Sequence, residues 1–147
     1  MSSNAAIRDI LWSPDWVIFT AQNPDNKQLS ELNNAALHQQ LLRTLKVHSV
    51  PFNEVHGRYS GKDEVGVIIF PREKVTRSLA AELAKFYGQE SVLTCEGLIY
   101  QDGSVHPVID WVFPATEPED NYTLFRSTYF RAEINFDVKF TFDLIAA

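Results

Sequence analysis

Short apolar runs alternate with longer stretches of helical spacing in the first two thirds of the chain. The short runs predict four strands, at residues 16–21, 51–59, 65–70 and 91–96. In the intervening stretches apolar residues recur three or four positions apart. This spacing predicts a helix that Ser30 can cap, up to about Val47, and a second helix that starts at Pro71 and stops at Gly88. The predicted order of elements is β-α-β-β-α-β.

This order is typical of an α+β, ferredoxin-like βαββαβ sandwich, in which an antiparallel sheet carries two helices on one face. We assign this core to residues 14–101 and expect residues 102–147 to form a β extension with extra C-terminal strands. A length of 147 residues fits one domain, so the sequence predicts a single domain over residues 1–147.

The extension opens with a hairpin signal, because Asp102-Gly103 separates the apolar runs 98–101 and 105–113. The acidic stretch ATEPEDN that follows predicts a loop. Apolar and polar residues then alternate from Phe130 to Phe142, which predicts one long, half-buried strand. That strand is long enough to complete the sheet or to cover a neighbouring subunit.

Composition narrows the class of protein. The formal net charge of -6 argues against a general nucleic-acid binder, which needs a basic face for phosphates. No apolar run approaches the length of a membrane span, and MSSNAAIRDI lacks the features of a signal peptide. The single cysteine, Cys95, cannot form an intrachain disulfide and fits a reducing compartment. We therefore expect a cytoplasmic protein of a bacterium or an infected cell.

Most standard catalytic signatures are missing from the sequence, including the P-loop, G-x-G-x-x-G, G-x-S-x-G and H-E-x-x-H. The four histidines are scattered without metal-ligand spacing, so we expect surface histidines, no metal site and no cofactor. Cys95 lies in a predicted strand, where it reads as a small core residue.

The stretch HGRYSGKDEVGVIIF, residues 56–70, is the better candidate for a site. Gly57 and Gly61 allow the backbone to bend or to approach a ligand closely. Tyr59 adds an aromatic face with a polar tip, and Glu64 adds a carboxylate. The alternative is an ordinary hairpin in which Tyr59 and Glu64 form a surface pair.

A second candidate is FTAQNP, residues 19–24. A strand that feeds a turn before a helix presents free N–H groups, which can bind a carboxylate or a nucleobase edge. The alternative is a loop with an Asx-type turn at Asn23 and Pro24.

Over residues 16–101 these segments, in this order, resemble a family of short bacterial and phage proteins of unassigned function. They also resemble the phage S-adenosylmethionine lyases, formerly called S-adenosylmethionine hydrolases. In those enzymes a Ser-Ala strand end precedes the first helix, a Gly-x-Tyr closes the second strand, a Glu opens the third and a Gln-x-x-x-Leu segment begins the fourth. The matching residues here are Thr20-Ala21, Gly57-Arg58-Tyr59, Glu64 and Gln89–Leu93.

The resemblance implies a homotrimer with sites between subunits, which converts S-adenosylmethionine to methylthioadenosine and homoserine lactone. It implies two catalytic residues: Tyr59 beside the sulfonium, and Glu64 orienting the substrate amine or a water molecule. The implied substrate-binding residues are Thr20, Ala21, Gln22, Asn23, Gly57 and Gln89.

Two other functions remain open at this stage. In the first, Glu64 activates water and the product is homoserine. In the second, the chain is a non-catalytic oligomeric module that binds an adenine-containing ligand, or a phage protein that blocks a host factor through exposed strand edges. The substrate could be free S-adenosylmethionine or a conjugate of it.

Overall fold

The computed structural model describes residues 8–59, 62–112, 122–126 and 137–144, without the side chains of 58, 59, 62, 112, 122–126 and 137–144. A helical turn at residues 8–11 precedes the first strand. The strands and helices are β1 Val17–Phe19, α1 Glu31–Val47, β2 Phe52–Tyr59, β3 Lys62–Ile69, α2 Arg77–Phe86, β4 Ser91–Thr94, β5 Gly97–Tyr100, β6 Val105–Val112, β7 Tyr122–Arg126 and β8 Asp137–Leu144. A short 3-10 helix lies at Pro24–Asn26. No helix in these ranges is both long and apolar enough to cross a membrane.

The first four strands confirm the predicted α+β class. Their order across the sheet is β4-β1-β3-β2, every neighbouring pair is antiparallel, and this is the strand order of a ferredoxin-like sheet. Residues from both helices, such as Leu41 of α1 and Ala84 of α2, pack with Val17 and Val67 in one buried cluster. Both helices therefore lie on the same face of the sheet.

The last four strands close this sheet into a barrel, which the sequence did not predict. β5 pairs with β4, β6 with β5, β8 with β6, and β7 lies between β8 and β2. The ring is complete, so none of the eight described strands has an unpaired edge. The predicted hairpin at Asp102-Gly103 is present as β5 and β6. β8 covers the end of the predicted long strand, and residues 130–136 of that prediction lie outside the described residues.

The two faces of the sheet build two separate cores. Val17 and Phe19 of β1 face the helices, whereas Ile18 packs against the cluster that fills the barrel. Val67 and Ile68 of β3 divide in the same way. Strands that are buried on both faces read as continuous apolar runs, which explains the sequences WVIF and VIIF.

The segment before β1 seals one end of the barrel. Leu11 and Trp16 have no exposed surface and belong to the interior cluster. The Trp16 ring packs edge-on against Trp111 with ring centroids 5.7 Å apart, and its Nε1 donates to the carbonyl of Ile10 at 2.8 Å. Arg8 donates from its guanidinium to the carbonyl of Trp111 at 2.7 Å.

The predicted start of α1 is confirmed, and the predicted start of α2 is wrong. Ser30 caps α1, with its hydroxyl accepting from the N–H of Asn33 at 3.1 Å. α2 begins at Arg77, not at Pro71, because Thr76 supplies the capping oxygen and accepts from the N–H of Leu79 at 3.1 Å.

Candidate functional site

The candidate residues lie at the end of the barrel opposite the sealed one. Gly57 pairs directly with Glu64 at the hairpin end of β2 and β3. Ile18 pairs with Leu93, which brings the end of β1 beside the start of β4. We call this end, formed by residues 20–23, 57–59, 62–64 and 89–91, the barrel mouth. All eight residues that the sequence analysis selected fall within it.

Glu64 is joined to the turn that follows β1. Its carboxylate is half-buried, and Oε2 accepts from Nδ2 of Asn23 at 3.4 Å, a long hydrogen bond. The structure thus brings together two residues that are 41 positions apart in the chain. Tyr59 pairs through its backbone with Lys62, and its side chain lies outside the described part of the chain. The pairing of the Tyr59 and Glu64 side chains stays a prediction.

Asn23 is itself held by Asn34, a residue of α1 that the sequence analysis missed. Asn34 is only 9% exposed, its Oδ1 accepts from the backbone N–H of Asn23 at 2.9 Å, and its Nδ2 donates to Oδ1 of Asn23 at 2.9 Å. Oδ1 of Asn23 also accepts from the backbone N–H of Leu29 at 3.0 Å. These contacts hold Asn23 in the left-handed conformation, with φ 48°.

Thr20 and Gln22 fasten the end of β1 to β3. The Thr20 hydroxyl donates to the carbonyl of Val65 at 2.7 Å, and Oε1 of Gln22 accepts from the N–H of Val65 at 2.9 Å. Nε2 of Gln22 also reaches the carbonyl of Asn34 at 3.3 Å. Side chains thus continue the ladder past Phe19, where β1 ends.

Gln89 ties the start of β4 to the same turn. Its Nε2 donates to the carbonyls of Gln22 and Tyr87, each at 3.0 Å. Ala21 is buried beneath this turn. Gly57 stands on the far side of the hairpin, and the backbone oxygen of Glu64 lies 4.0 Å from the position that a Cβ at Gly57 would take. The hairpin is therefore open enough at this position for a small side chain.

Two N–H groups of the turn after β1, which the sequence suggested as free donors, have partners inside the chain. The N–H of Gln22 donates to the Thr20 hydroxyl at 3.0 Å, and the N–H of Asn23 donates to Asn34. Both donors are used inside the chain because short polar side chains follow β1 and cap its end. Among the turn residues, Asn23 is the one that the structure links to the Glu64 carboxylate.

No group of three His, Cys, Asp or Glu side chains within the described ranges lies close enough to hold a metal ion. The expectation that the histidines lie at the surface is wrong for His38, which is 5% exposed and lies 2.6 Å from Glu54. Cys95 is half-buried and follows β4 in a turn, not within the strand.

Residues 19–92 match the model of a protein family that is described as a protein of unknown function, DUF3293. The chain belongs to this family. The DUF3293 segment runs from the end of β1 into β4 and contains all eight candidate residues together with Asn34. No curated protein matches the chain.

A surface depression adjoins the mouth, partly outside the DUF3293 segment. Its lining is polar and acidic: Asp25, Asn26, Gly88, Glu90, Tyr100, Gln101 and Asp102. The loop at Pro24–Asn26 folds against the end of α2, where the N–H of Asp25 donates to the carbonyl of Gly88 at 2.7 Å. Gly88 has φ +63°, and a Cβ there would lie 2.9 Å from the Cβ of Pro24. The turn signals NPDN and DG in the sequence correspond to the two rims of the depression. The sequence alone does not show that these two turns lie side by side.

The carboxylate of Asp102 is ionised over a wider pH range than usual. Hydrogen bonds from the Ser104 hydroxyl at 2.6 Å and the Ser104 N–H at 2.9 Å lower the pKa of Asp102 below its ordinary value. The depression therefore keeps a negative charge on this rim down to a lower pH than an ordinary aspartate would.

Proposed function

We propose that the chain degrades S-adenosylmethionine, or a conjugate of it, at the barrel mouth. The observation that carries the proposal is the Glu64 carboxylate, which Asn23 contacts at the end of the barrel where the other residues selected by the resemblance to the phage lyases also lie. The carboxylates of the neighbouring depression add support, because the substrate carries a sulfonium and an ammonium against one carboxylate and so has a net positive charge.

The reaction is an intramolecular displacement. An oxygen of the substrate carboxylate forms a bond to the γ-carbon, the bond from that carbon to sulfur breaks, and its electron pair stays on sulfur. The products are neutral methylthioadenosine and homoserine lactone, which keeps the ammonium. No proton is transferred, so the step needs neither a general base nor an activated nucleophile from the protein.

The protein's contribution is to hold the methionine part folded for attack. Orientation of this kind can supply about 7–11 kcal/mol of the barrier in favourable cases. Glu64 would bind the ammonium and so fix the carbon chain. Tyr59 would border the sulfonium with its ring, as aromatic faces do for onium groups. Attack brings opposite charges together and cancels them, so a poorly solvated mouth favours it.

The proposal includes a homotrimer in the cytoplasm, with each site completed by a neighbouring copy. Light scattering tests this assembly directly, because a trimer has three times the chain mass of 16.8 kDa. If the measured mass at micromolar concentration is that of a monomer, the proposal of a site shared between subunits is wrong.

Purified protein incubated with S-adenosylmethionine, followed by chromatography of the products, tests the activity. We expect methylthioadenosine together with homoserine lactone as the first product. If homoserine is the first product, the lyase proposal is wrong and the activity is that of a hydrolase in which Glu64 activates water. If no methylthioadenosine forms after long incubation at high protein concentration, both enzymatic functions are wrong.

The second candidate is a non-catalytic module that binds an adenine-containing ligand at the same mouth. The side chains of Thr20, Gln22 and Gln89 favour this candidate, because they hydrogen-bond to backbone groups. They therefore determine the shape of the mouth and do not serve as reactive groups. Calorimetry separates the two candidates, since the module would bind S-adenosylmethionine and release it unchanged. An inhibitor that pairs through strand edges is less favoured, because the eight described strands form a closed ring.

A further inference from the structure

Backbone donors determine how the two amides beside Glu64 are oriented. A backbone N–H can only donate, so the N–H of Leu29 requires the oxygen of the Asn23 amide to face it. The amide nitrogen of Asn23 must then point the other way, towards Glu64. In the same manner, the N–H of Asn23 requires the oxygen of the Asn34 amide, which turns the nitrogen of Asn34 to the oxygen of Asn23.

We infer that Asn34 is a positioning residue, which acts through Asn23 to keep a hydrogen-bond donor against the Glu64 carboxylate and so to hold that side chain in place. The inference rests on the proposed function, because it gives Glu64 the task of binding the substrate ammonium. Asn34 is suited to this task because it is buried in the first turns of α1, a rigid element, whereas Asn23 lies in a loop and Glu64 at a strand end. Its amide makes two hydrogen bonds to Asn23, one to the backbone and one to the side chain.

The chemical consequence concerns the charge of Glu64. A donated hydrogen bond favours the ionised carboxylate over the neutral acid. If Asn23 loses its orientation, its amide oxygen can turn towards Glu64 and the two acceptors repel each other. The Glu64 carboxyl would then bind a proton at higher pH, and a neutral Glu64 cannot hold an ammonium.

The test uses Asn34→Leu, a neutral change of similar size that removes both contacts to Asn23. Its matched control is Asn33→Leu at the neighbouring, exposed position of α1. We expect Asn34→Leu to lower kcat/KM for S-adenosylmethionine about tenfold and to move the acid limb of the pH–rate profile to higher pH. The control should leave both unchanged.

A second variant, Asn23→Gly, removes the donor to Glu64 while keeping the fold. Glycine adopts φ 48° without cost, so the turn keeps its path while the donor to Glu64 is lost. We expect the double variant, which combines Asn23→Gly with Asn34→Leu, to have the same kcat/KM as Asn23→Gly alone, since Asn34 acts only through Asn23. A further tenfold loss in the double variant would show that Asn34 acts by another route and would overturn the inference.

The ionisation of Glu64 can be followed without any substrate, by NMR of the carboxyl carbon in labelled protein. We expect the Glu64 signal to titrate at higher pH in Asn34→Leu than in the wild type and in Asn33→Leu. The same titration in all three proteins would overturn the inference. Because this readout needs no turnover, it stands apart from the assay for methylthioadenosine, whose failure would remove the proposed function instead.

Discussion

Nε2 of His38 lies 2.6 Å from Oε1 of Glu54, although the His38 ring is buried and the Glu54 side chain is half exposed. The contact joins the middle of α1 to the outer face of β2. The other ring nitrogen, Nδ1, is buried and has no hydrogen-bond partner among the described residues. The Glu54 carboxylate is thus the polar contact that the structure shows for this buried ring.

Removing this partner should destabilise the fold. Glu54→Ala would leave the buried His38 ring without its hydrogen bond, and we expect the free energy of unfolding to fall by about 1–3 kcal/mol in urea titrations at pH 7. Glu82→Ala, at an exposed position of α2, is the matched control and should change it by less than about 0.5 kcal/mol. Equal effects from both variants would contradict a specific role for the contact.

Two glycines on the β2–β3 hairpin should respond differently to alanine. At Gly66 a Cβ would collide with the backbone carbonyl of Phe19 on β1, so Gly66→Ala must push two paired strands apart. We expect a loss of about 1–3 kcal/mol in the free energy of unfolding. At Gly57 the nearest atom lies at 4.0 Å, and Gly57→Ala should change stability by less than about 0.5 kcal/mol. A larger loss at Gly57 than at Gly66 would argue against the packing of β3 on β1.

The two proposed catalytic residues can be tested by conservative substitutions. Glu64→Gln keeps the size of the side chain and removes its charge, and we expect methylthioadenosine formation to slow by about a hundredfold or more because the ammonium loses its counter-charge. Tyr59→Phe keeps the ring and should slow it less. The same change at an exposed position of α2 outside the mouth, Glu82→Gln, serves as the control and should leave the rate unchanged. Wild-type rates in both Glu64→Gln and Tyr59→Phe would remove the hairpin from the mechanism.

The β5–β6 turn should be sensitive to acid. Because hydrogen bonds from Ser104 lower the pKa of Asp102, ionised Asp102 stabilises the folded turn at pH values above the pKa in the unfolded chain, about 3.9, and this contribution is lost as the pH falls through the lower folded value. Ser104→Ala should therefore lower Tm at pH 6 and have less effect near pH 2. In an Asp102→Asn background the effect of Ser104→Ala should not depend on pH in this range; a persistent dependence would assign the titration to another group.

The strands and helices of the core were predictable, because short stretches of sequence indicate whether each residue is buried or exposed. The run VIIF is apolar on both faces of β3, and Ser30 sits where a helix must begin, so element type and order follow from short stretches. Barrel closure depends instead on pairing between residues far apart in the chain, such as Val55 with Phe125, and no local pattern encodes which strand a C-terminal strand will join.

The candidate site divides along the same line. Glu64 and Asn23 could be selected from turn chemistry and from the resemblance. Asn34 could not, because in the helical pattern it counts as one more polar position, and its burial arises only when the turn after β1 folds back onto α1. His38 was misjudged for the same reason, since a polar residue in a helix becomes a buried one when a charged partner lies across the interface.

The family segment, residues 19–92, contains β2 and β3 and the adjoining ends of β1 and β4, but none of the four strands that complete the ring. In this chain β7 covers the outer side of β2, and β5 covers the outer side of β4. A relative built from the family segment alone would leave both sides unpaired, and unpaired strand edges recruit other chains. Such a relative would need a partner or a second copy to supply what β5, β6, β7 and β8 supply here. Self-association should therefore vary across the family with the length of the C-terminal region.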